Sequence, residues 1–249
     1  LLRTAAQRIA RHLPEQALLA RIGGDEFACV VAYDRDHAEV IDQLATDLTQ
    51  DVARPVPHGE LAIEATVSVG LARVVEPGTD MAQTLMHMAD IAMYQAKKLG
   101  RNGFCWFDPV MESELRFRGE LETGIRRGIG LREFVPYYEK QIDLATGQLV
   151  GFEMLARWKS PTLGVVSPEI FIPVAEEIGA IAELSEALIR QALVDARYWH
   201  PRLTLSVNIS PVQLRDPWFA QKLLKLLVEA NFPPSRLEIE ITETCLHDN

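Results

Sequence analysis

Three residues hold comparable places in the second half of this chain. Glu153 in Gly-Phe-Glu-Met-Leu, Asn208 in Ser-Val-Asn-Ile-Ser and Glu240 in Ile-Glu-Ile-Thr-Glu each close a strand-like apolar run. Two carboxylates and an amide oxygen make an oxygen-only set. Such a set suits Mg²⁺ or Mn²⁺ better than zinc, which prefers histidine or cysteine. The 6 histidines fall on none of these runs. A competing reading has Asn208 capping the segment after it and the glutamates paired with nearby arginines. A second set, Gly23-Gly24-Asp25-Glu26-Phe27, lies near the start of the chain. Glycines at a turn supply positive φ and let a phosphate approach the backbone, and two adjacent carboxylates there can hold Mg²⁺. Taken alone, the same residues also read as an ordinary hairpin turn.

The elements that must position these groups follow from the apolar spacing. Residues 1–13 and 37–53 recur at three or four and predict helices, with Pro14 ending the first. Residues 17–22 and 27–33 are short apolar runs joined by Gly-Gly-Asp-Glu, which predicts a β-hairpin. A strand over 61–73, a helix over 81–98 and a short strand over 104–107 complete an α+β domain. A boundary is expected near 108–112, followed by a charged connecting helix over 109–130. Beyond it, strand candidates at 134–144, 149–158, 203–210 and 237–244 meet helical patterns at 170–198 and 217–231. Strands alternating with long helices predict βα units on a parallel sheet. The C-terminal ends of such strands converge on one face, which carries the chemistry.

Composition sets the bounds. A chain of 249 residues, 48% hydrophobic and 24% charged, is globular rather than disordered or fibrous. No run reaches the roughly 18–20 apolar residues of a membrane span. Three separated cysteines, Cys29, Cys105 and Cys245, predict neither a disulfide framework nor a zinc site and suit a reducing cytoplasm. The net charge of −10 has half its excess on residues 1–108, which carry 10 basic and 15 acidic side chains. That balance argues against a nucleic-acid polymer as partner, while leaving room for a small anionic ligand. The chain starts without methionine and stops just after a strand-like run, as a window from something longer would.

Residues 133–249 resemble the first half of an EAL domain, the cyclic-di-GMP phosphodiesterases, whose fold is a variant (β/α)₈ barrel. The resemblance runs through Glu153-Met154-Leu155 with Arg157-Trp158, through 167–179, 207–214 and 238–244. It implies that Glu153, Asn208 and Glu240 are metal ligands and that Arg157 contacts a ligand phosphate. Leu155 would line a guanine-binding floor, and Glu243 would steady a catalytic loop. Methionine replaces the usual alanine at 154, where no ligand atom is needed. The family's Tyr-Gln-Pro is Tyr138-Glu139-Lys140 here, which puts a carboxylate where an amide contacts ligand. The Asp-Asp pair, lysine and later glutamate of that family belong to the second half of the barrel, outside this chain.

Residues 1–108 resemble the C-terminal portion of a GGDEF domain, the diguanylate cyclases, with a fold like the palm of nucleotide cyclases. The family's first strand, with its metal-binding aspartate, would precede Leu1. The resemblance rests on Arg21-Ile22 with Gly23-Gly24-Asp25-Glu26-Phe27, on 66–70 and on 89–102. It implies that Asp25 binds metal with support from Glu26, and that Gly23 and Gly24 pass close to the phosphates of GTP. Lys97 and Arg101, one helical turn apart, would bind those phosphates. The product-inhibition site of that family needs Arg and Asp where this chain has Pro14 and Ala17, so feedback through it is not expected. Together the two resemblances imply a tandem protein of cyclic-di-GMP turnover, working with Mg²⁺ or Mn²⁺ as a cytoplasmic homodimer under an upstream sensor domain. The phosphodiesterase half is expected to be the active one, and the cyclase half either makes cyclic di-GMP or binds GTP as a regulator. These residues alone should be catalytically incomplete. A competing reading is a non-catalytic cyclic-di-GMP receptor that signals through a protein partner. An unrelated metal-dependent barrel enzyme would leave the hairpin unexplained.

Overall fold

The hydrophobic spacing is realised in a computed structural model that describes residues 1–59, 61–74 and 81–241. The chain divides into two units, Leu1–Arg116 and Phe117–Asn249. In the first unit, α1 (Leu2–His12) precedes a hairpin of β1 (Leu18–Gly23) and β2 (Glu26–Val30). Helix α2 (Glu39–Ala53) follows, then β3 (Val56–His58), β4 (Leu61–Ile63) and β5 (Ser68–Leu71). Helix α3 (Met81–Lys98) and β6 (Gly103–Trp106) complete the described elements before α4 (Pro109–Gly130), which continues into the second unit.

Strand β5 pairs parallel with β6. Parallel neighbours need a crossover of a dozen residues or more, and α3 provides it. Buried Ile91, Ala92 and Ala96 form the inner face of α3, while Ile9, Leu48 and Val52 lock α1 onto α2. The strand expected over 61–73 is two strands: β4 folds back antiparallel onto β3, and only 68–71 joins β6. An apolar run alone does not reveal that its two ends have different partners.

The second unit builds a five-stranded sheet. Its strands are β7 (Phe134–Ile142), β8 (Leu149–Ser160), β9 (Gly164–Val166), β10 (Thr204–Asn208) and β11 (Leu237–Glu240). The order is β11-β10-β8-β7, with β9 on β8. Strands β8, β10 and β11 run parallel, as the βα pattern predicts, whereas β7 and β9 pair antiparallel with β8. The helices are α5 (Pro168–Glu177), α6 (Ile181–Ala196), α7 (Pro211–Leu214) and α8 (Phe219–Glu229). The single helical pattern expected over 170–198 is thus divided. Gly179 adopts φ +71°, Ala180 N–H donates to Ala175 O (2.8 Å) and Gly179 N–H to Glu176 O (3.1 Å). That pair of bonds closes a helix and lets the chain turn into the next one.

One sheet face is apolar and covered by helices: Met154, Trp158, Leu205 and Val207 join Leu121 and Ile125 of α4 and Leu184 and Leu188 of α6. Trp158 is fully buried, stacks on Phe134 at 5.2 Å and donates its indole N–H to Glu133 Oε2 at 3.0 Å. Truncating such a side chain loses both transfer free energy and packing. Trp158→Ala should therefore destabilise this unit by about 3–5 kcal/mol, read as a lowered urea midpoint by circular dichroism. Among the described residues no helix is long and apolar enough to cross a membrane, and Cys29 and Cys105 are free thiols.

Candidate functional site

Period-two alternation assigns the opposite sheet face to polar groups. On β8, Glu153, Leu155 and Arg157 alternate with buried Met154 and Trp158, so the substituted middle residue of Glu-Met-Leu points into the core. Register extends this face across the sheet: Glu139 of β7 lies opposite Glu153, Ser206 of β10 lies beside Glu153, and Asn208 beside Glu240 of β11. Asn208 and Glu240 are the last residues of their strands. Glu153 is not. It sits one residue before the end of the stretch of β8 that runs parallel to β10, and β8 then continues to Ser160 against β7 and β9.

Side-chain bonds join the three expected ligands to their neighbours. Asn208 donates from Nδ2 to Glu153 Oε1 at 2.7 Å, and Gln141 donates from Nε2 to Glu240 Oε1 at 3.2 Å. The capping alternative for Asn208 fails, because Ser210 caps α7 in a reciprocal box with Gln213. Among the described residues neither glutamate pairs with an arginine. Nor do three His, Cys, Asp or Glu side chains gather there as a metal cluster. The donor chemistry nonetheless fits a hard cation: with its Nδ2 turned to Glu153, Asn208 keeps Oδ1 as an acceptor, and Mg²⁺ commonly takes one or two carboxylates and leaves other positions to water and phosphate.

Arg157 and Leu155 share the polar face with Glu153. Arg157 lies over the Tyr137 ring at 5.7 Å and donates from Nη1 to the Ala156 carbonyl at 2.8 Å, which leaves further guanidinium N–H groups for an anion. Behind the face, Tyr138 donates its hydroxyl to Asp195 Oδ2 at 2.6 Å. Burial, then that bond to a carboxylate, drives the phenol pKa well above its ordinary value, so Tyr138 stays a neutral donor. Glu243 lies outside the described residues. Gln141 and Ser206 were not singled out from sequence. The available signal was their place in the same alternation as Glu139 and Glu153.

In the first unit the expected hairpin forms, with Gly24-Asp25 as its two-residue turn. Gly24 adopts φ +48°, and Arg21 grips its carbonyl through Nε (2.9 Å) and Nη2 (2.6 Å). Asp25 and Glu26 are exposed at the tip beside Gly23, where nothing lies within 4 Å of an added Cβ. Backbone and carboxylates are therefore open to a ligand. The expectation that Lys97 and Arg101 share a helical face is corrected: α3 ends at Lys98, and Arg101 adopts φ +62° with its N–H donating to Ala96 O at 3.1 Å. Gly100, with φ +118°, and Asn102, with φ +46°, flank it in a positive-φ run that no helix continues through. Both side chains remain exposed.

Comparison with known proteins matches residues 122–249 to the EAL domain and residues 1–103 to the diguanylate cyclase, GGDEF domain. The bifunctional diguanylate cyclase/cyclic di-GMP phosphodiesterase MucR of Pseudomonas aeruginosa is 30% identical over 98% of this chain. The cyclic di-GMP phosphodiesterase PdeR of Escherichia coli is 33% identical over all of it. The chain spans 36% and 38% of the lengths of these two relatives. A solved structure of the P. aeruginosa MucR phosphodiesterase in complex with c-di-GMP superposes with a TM-score of 0.50 and 27% identity, covering 52% of this chain and 54% of that one. The fold is accordingly an α+β GGDEF portion followed by strands of a TIM-like EAL barrel.

Proposed function

This chain belongs to the EAL-domain family and carries GGDEF residues ahead of its EAL residues, and from that premise we propose that its parent protein hydrolyses cyclic di-GMP. The observation that supports the reading most directly is the adjacency of Glu153, Asn208 and Glu240 on one polar sheet face. Glu153, Asn208 and Glu240 would hold Mg²⁺ or Mn²⁺. When bound, such ions polarise a phosphodiester and favour ionisation of water.

The chain's own groups have the remaining tasks. Arg157 binds a phosphate oxygen with its free N–H donors, and Leu155 offers an apolar floor to a guanine ring. Glu243, outside the described residues, would steady a catalytic loop. Water adds to one phosphorus as that phosphorus releases its ribose oxygen, which gives the linear dinucleotide. Residues 131–249 carry this chemistry, 109–130 connect, and 1–108 handle GTP. There Asp25, supported by Glu26, holds a divalent cation, Gly23 and Gly24 admit the phosphates, and Lys97 and Arg101 contact them from the end of α3 and the loop beyond it. GTP is either condensed to cyclic di-GMP or bound as a regulator of hydrolysis. A cytoplasmic homodimer under an upstream sensor belongs to the same proposal.

A second reading, a non-catalytic receptor, is favoured by one feature. Glu139 sets a second carboxylate directly across from Glu153, where it repels an anionic ligand. Full-length protein with Mg²⁺ or Mn²⁺ should convert cyclic di-GMP to the linear dinucleotide, followed by chromatography of the nucleotides. Tight binding of cyclic di-GMP with no linear product at saturating metal would establish the receptor instead.

A further inference from the structure

Gln141 has no part in the chemistry above, yet its side chain reaches across the sheet. Its register partner on β8 is Gly151. A Cβ added there would lie 3.1 Å from Gln141 Oε1, 2.3 Å from Thr204 Oγ1 and 2.8 Å from Thr204 O. The bare glycine therefore leaves the space through which the amide passes over β8 toward β10 and β11. At its far end Nε2 donates to Glu240 Oε1 at 3.2 Å, and Oε1 accepts from Ser206 Oγ at 3.2 Å.

The amide orientation follows from chemistry. A carboxylate only accepts, so the NH₂ end must face Glu240 and the carbonyl must face a donor. Ser206, fully buried, supplies that donor and shares its single hydroxyl hydrogen with Glu238 Oε2, also at 3.2 Å. One oxygen of Glu240 is thus held from the side, and among the described residues no group bonds Oε2, which can face a cation. The backbone of the same residue is fixed by Ile209 N–H on its carbonyl at 3.0 Å.

We propose that Gln141 is a positioning residue that fixes the Glu240 carboxylate for a divalent cation, with Ser206 orienting Gln141 in turn. The inference rests on the reading of Glu240 as a cation ligand. A ligating carboxylate that loses its outer hydrogen-bond partner samples other rotamers, and metal affinity falls by roughly 10- to 100-fold in comparable sites. Gln141→Met keeps the length of the side chain and removes both polar ends.

The test is Mn²⁺ binding to the full-length protein, followed by the electron paramagnetic resonance signal of the free ion. The ions lost in Glu240→Ala define the site. Q141M should weaken binding at that site by roughly 10- to 100-fold. It should also raise the Mn²⁺ concentration for half-maximal hydrolysis in proportion, with kcat at saturating metal changed less. Affinity within about twofold of the parent would overturn the role of Gln141 while leaving the metal site intact. A Glu240→Ala protein that binds Mn²⁺ as the parent does would overturn the underlying reading instead. Should Q141M melt early, Ser206→Ala reads the same path with a minimal change of shape: a smaller loss of affinity supports the proposal, and no loss overturns it.

Discussion

Replacing Glu153 with alanine is expected to abolish hydrolysis of cyclic di-GMP by the full-length protein, with a loss on the order of 10³-fold or more in kcat. The expectation follows from where β8 places this side chain. Alternation turns Glu153 to the polar face and Met154 to the core, so the substitution removes a donor oxygen without opening a cavity under the helices. Asn208 loses its 2.7 Å acceptor at the same time, and with it the restraint that leaves Oδ1 free. Two of three oxygen donors are thereby disturbed by one change. Stability should move little, because a half-buried polar side chain is being shortened to a small one. Steady-state turnover and a thermal melt on the same preparation separate the two effects. Unchanged turnover would place the chemistry on other residues.

Much of this arrangement is legible in the sequence, and the reasons are specific. The 3.6-residue period of 81–98 is carried by the segment itself, and α3 spans those residues. The Gly-Gly-Asp-Glu turn fixed the hairpin because glycine at positive φ leaves few alternatives. What escaped was decided by pairing partners and local backbone geometry that an apolar pattern does not carry. Residues 61–73 have uniform strand character, and only the separate pairings with β3 and β6 break them. The antiparallel pairing of β7 with β8, which brings Glu139 to face Glu153, breaks the all-parallel expectation. The short connection over 143–148, too short for a crossover, was the signal for it. Arg101 left its helical face through three consecutive positive-φ residues, two of which are not glycine. Gln141 matters only because a glycine stands opposite and a buried serine lies beyond. No local pattern announces that coincidence.

The two units also divide the electrostatic task of an acidic chain. At −10 overall, neither half can gather polyanionic nucleotides by long-range attraction. Under the proposed function, binding rests on a few short contacts: Arg157 in one unit, Lys97 and Arg101 in the other, and divalent cations that offset the carboxylates. Activity should therefore depend on metal concentration more steeply than on ionic strength, since short, ion-mediated contacts are screened less than a diffuse field.

Asp25→Ala is expected to eliminate GTP-dependent formation of cyclic di-GMP or, where GTP acts only as a regulator, its effect on hydrolysis. At the tip of the hairpin the carboxylate is exposed, and the turn is held from behind by Arg21 on the Gly24 carbonyl. The turn does not rely on the Asp25 side chain for its shape, so the variant removes a cation donor and leaves the loop standing. The loss should reach the order of 10²- to 10³-fold in rate, or several-fold in GTP affinity, because in the proposed reading a cation held by Asp25 offsets the charge of the triphosphate. Incubation with labelled GTP and chromatography of the nucleotides reads the first outcome, and GTP titration of the hydrolysis rate reads the second. In the parent protein, accumulating cyclic di-GMP should not strongly inhibit its own synthesis through the segment before the hairpin. There Pro14 and Ala17 close a tight turn, with Ala17 N–H on the Pro14 carbonyl at 2.9 Å, and neither side chain can grip a phosphate or a guanine. Retained GTP chemistry in Asp25→Ala would assign the cation to Glu26 or to residues outside this chain, and the hairpin would then serve the phosphates through its glycines alone.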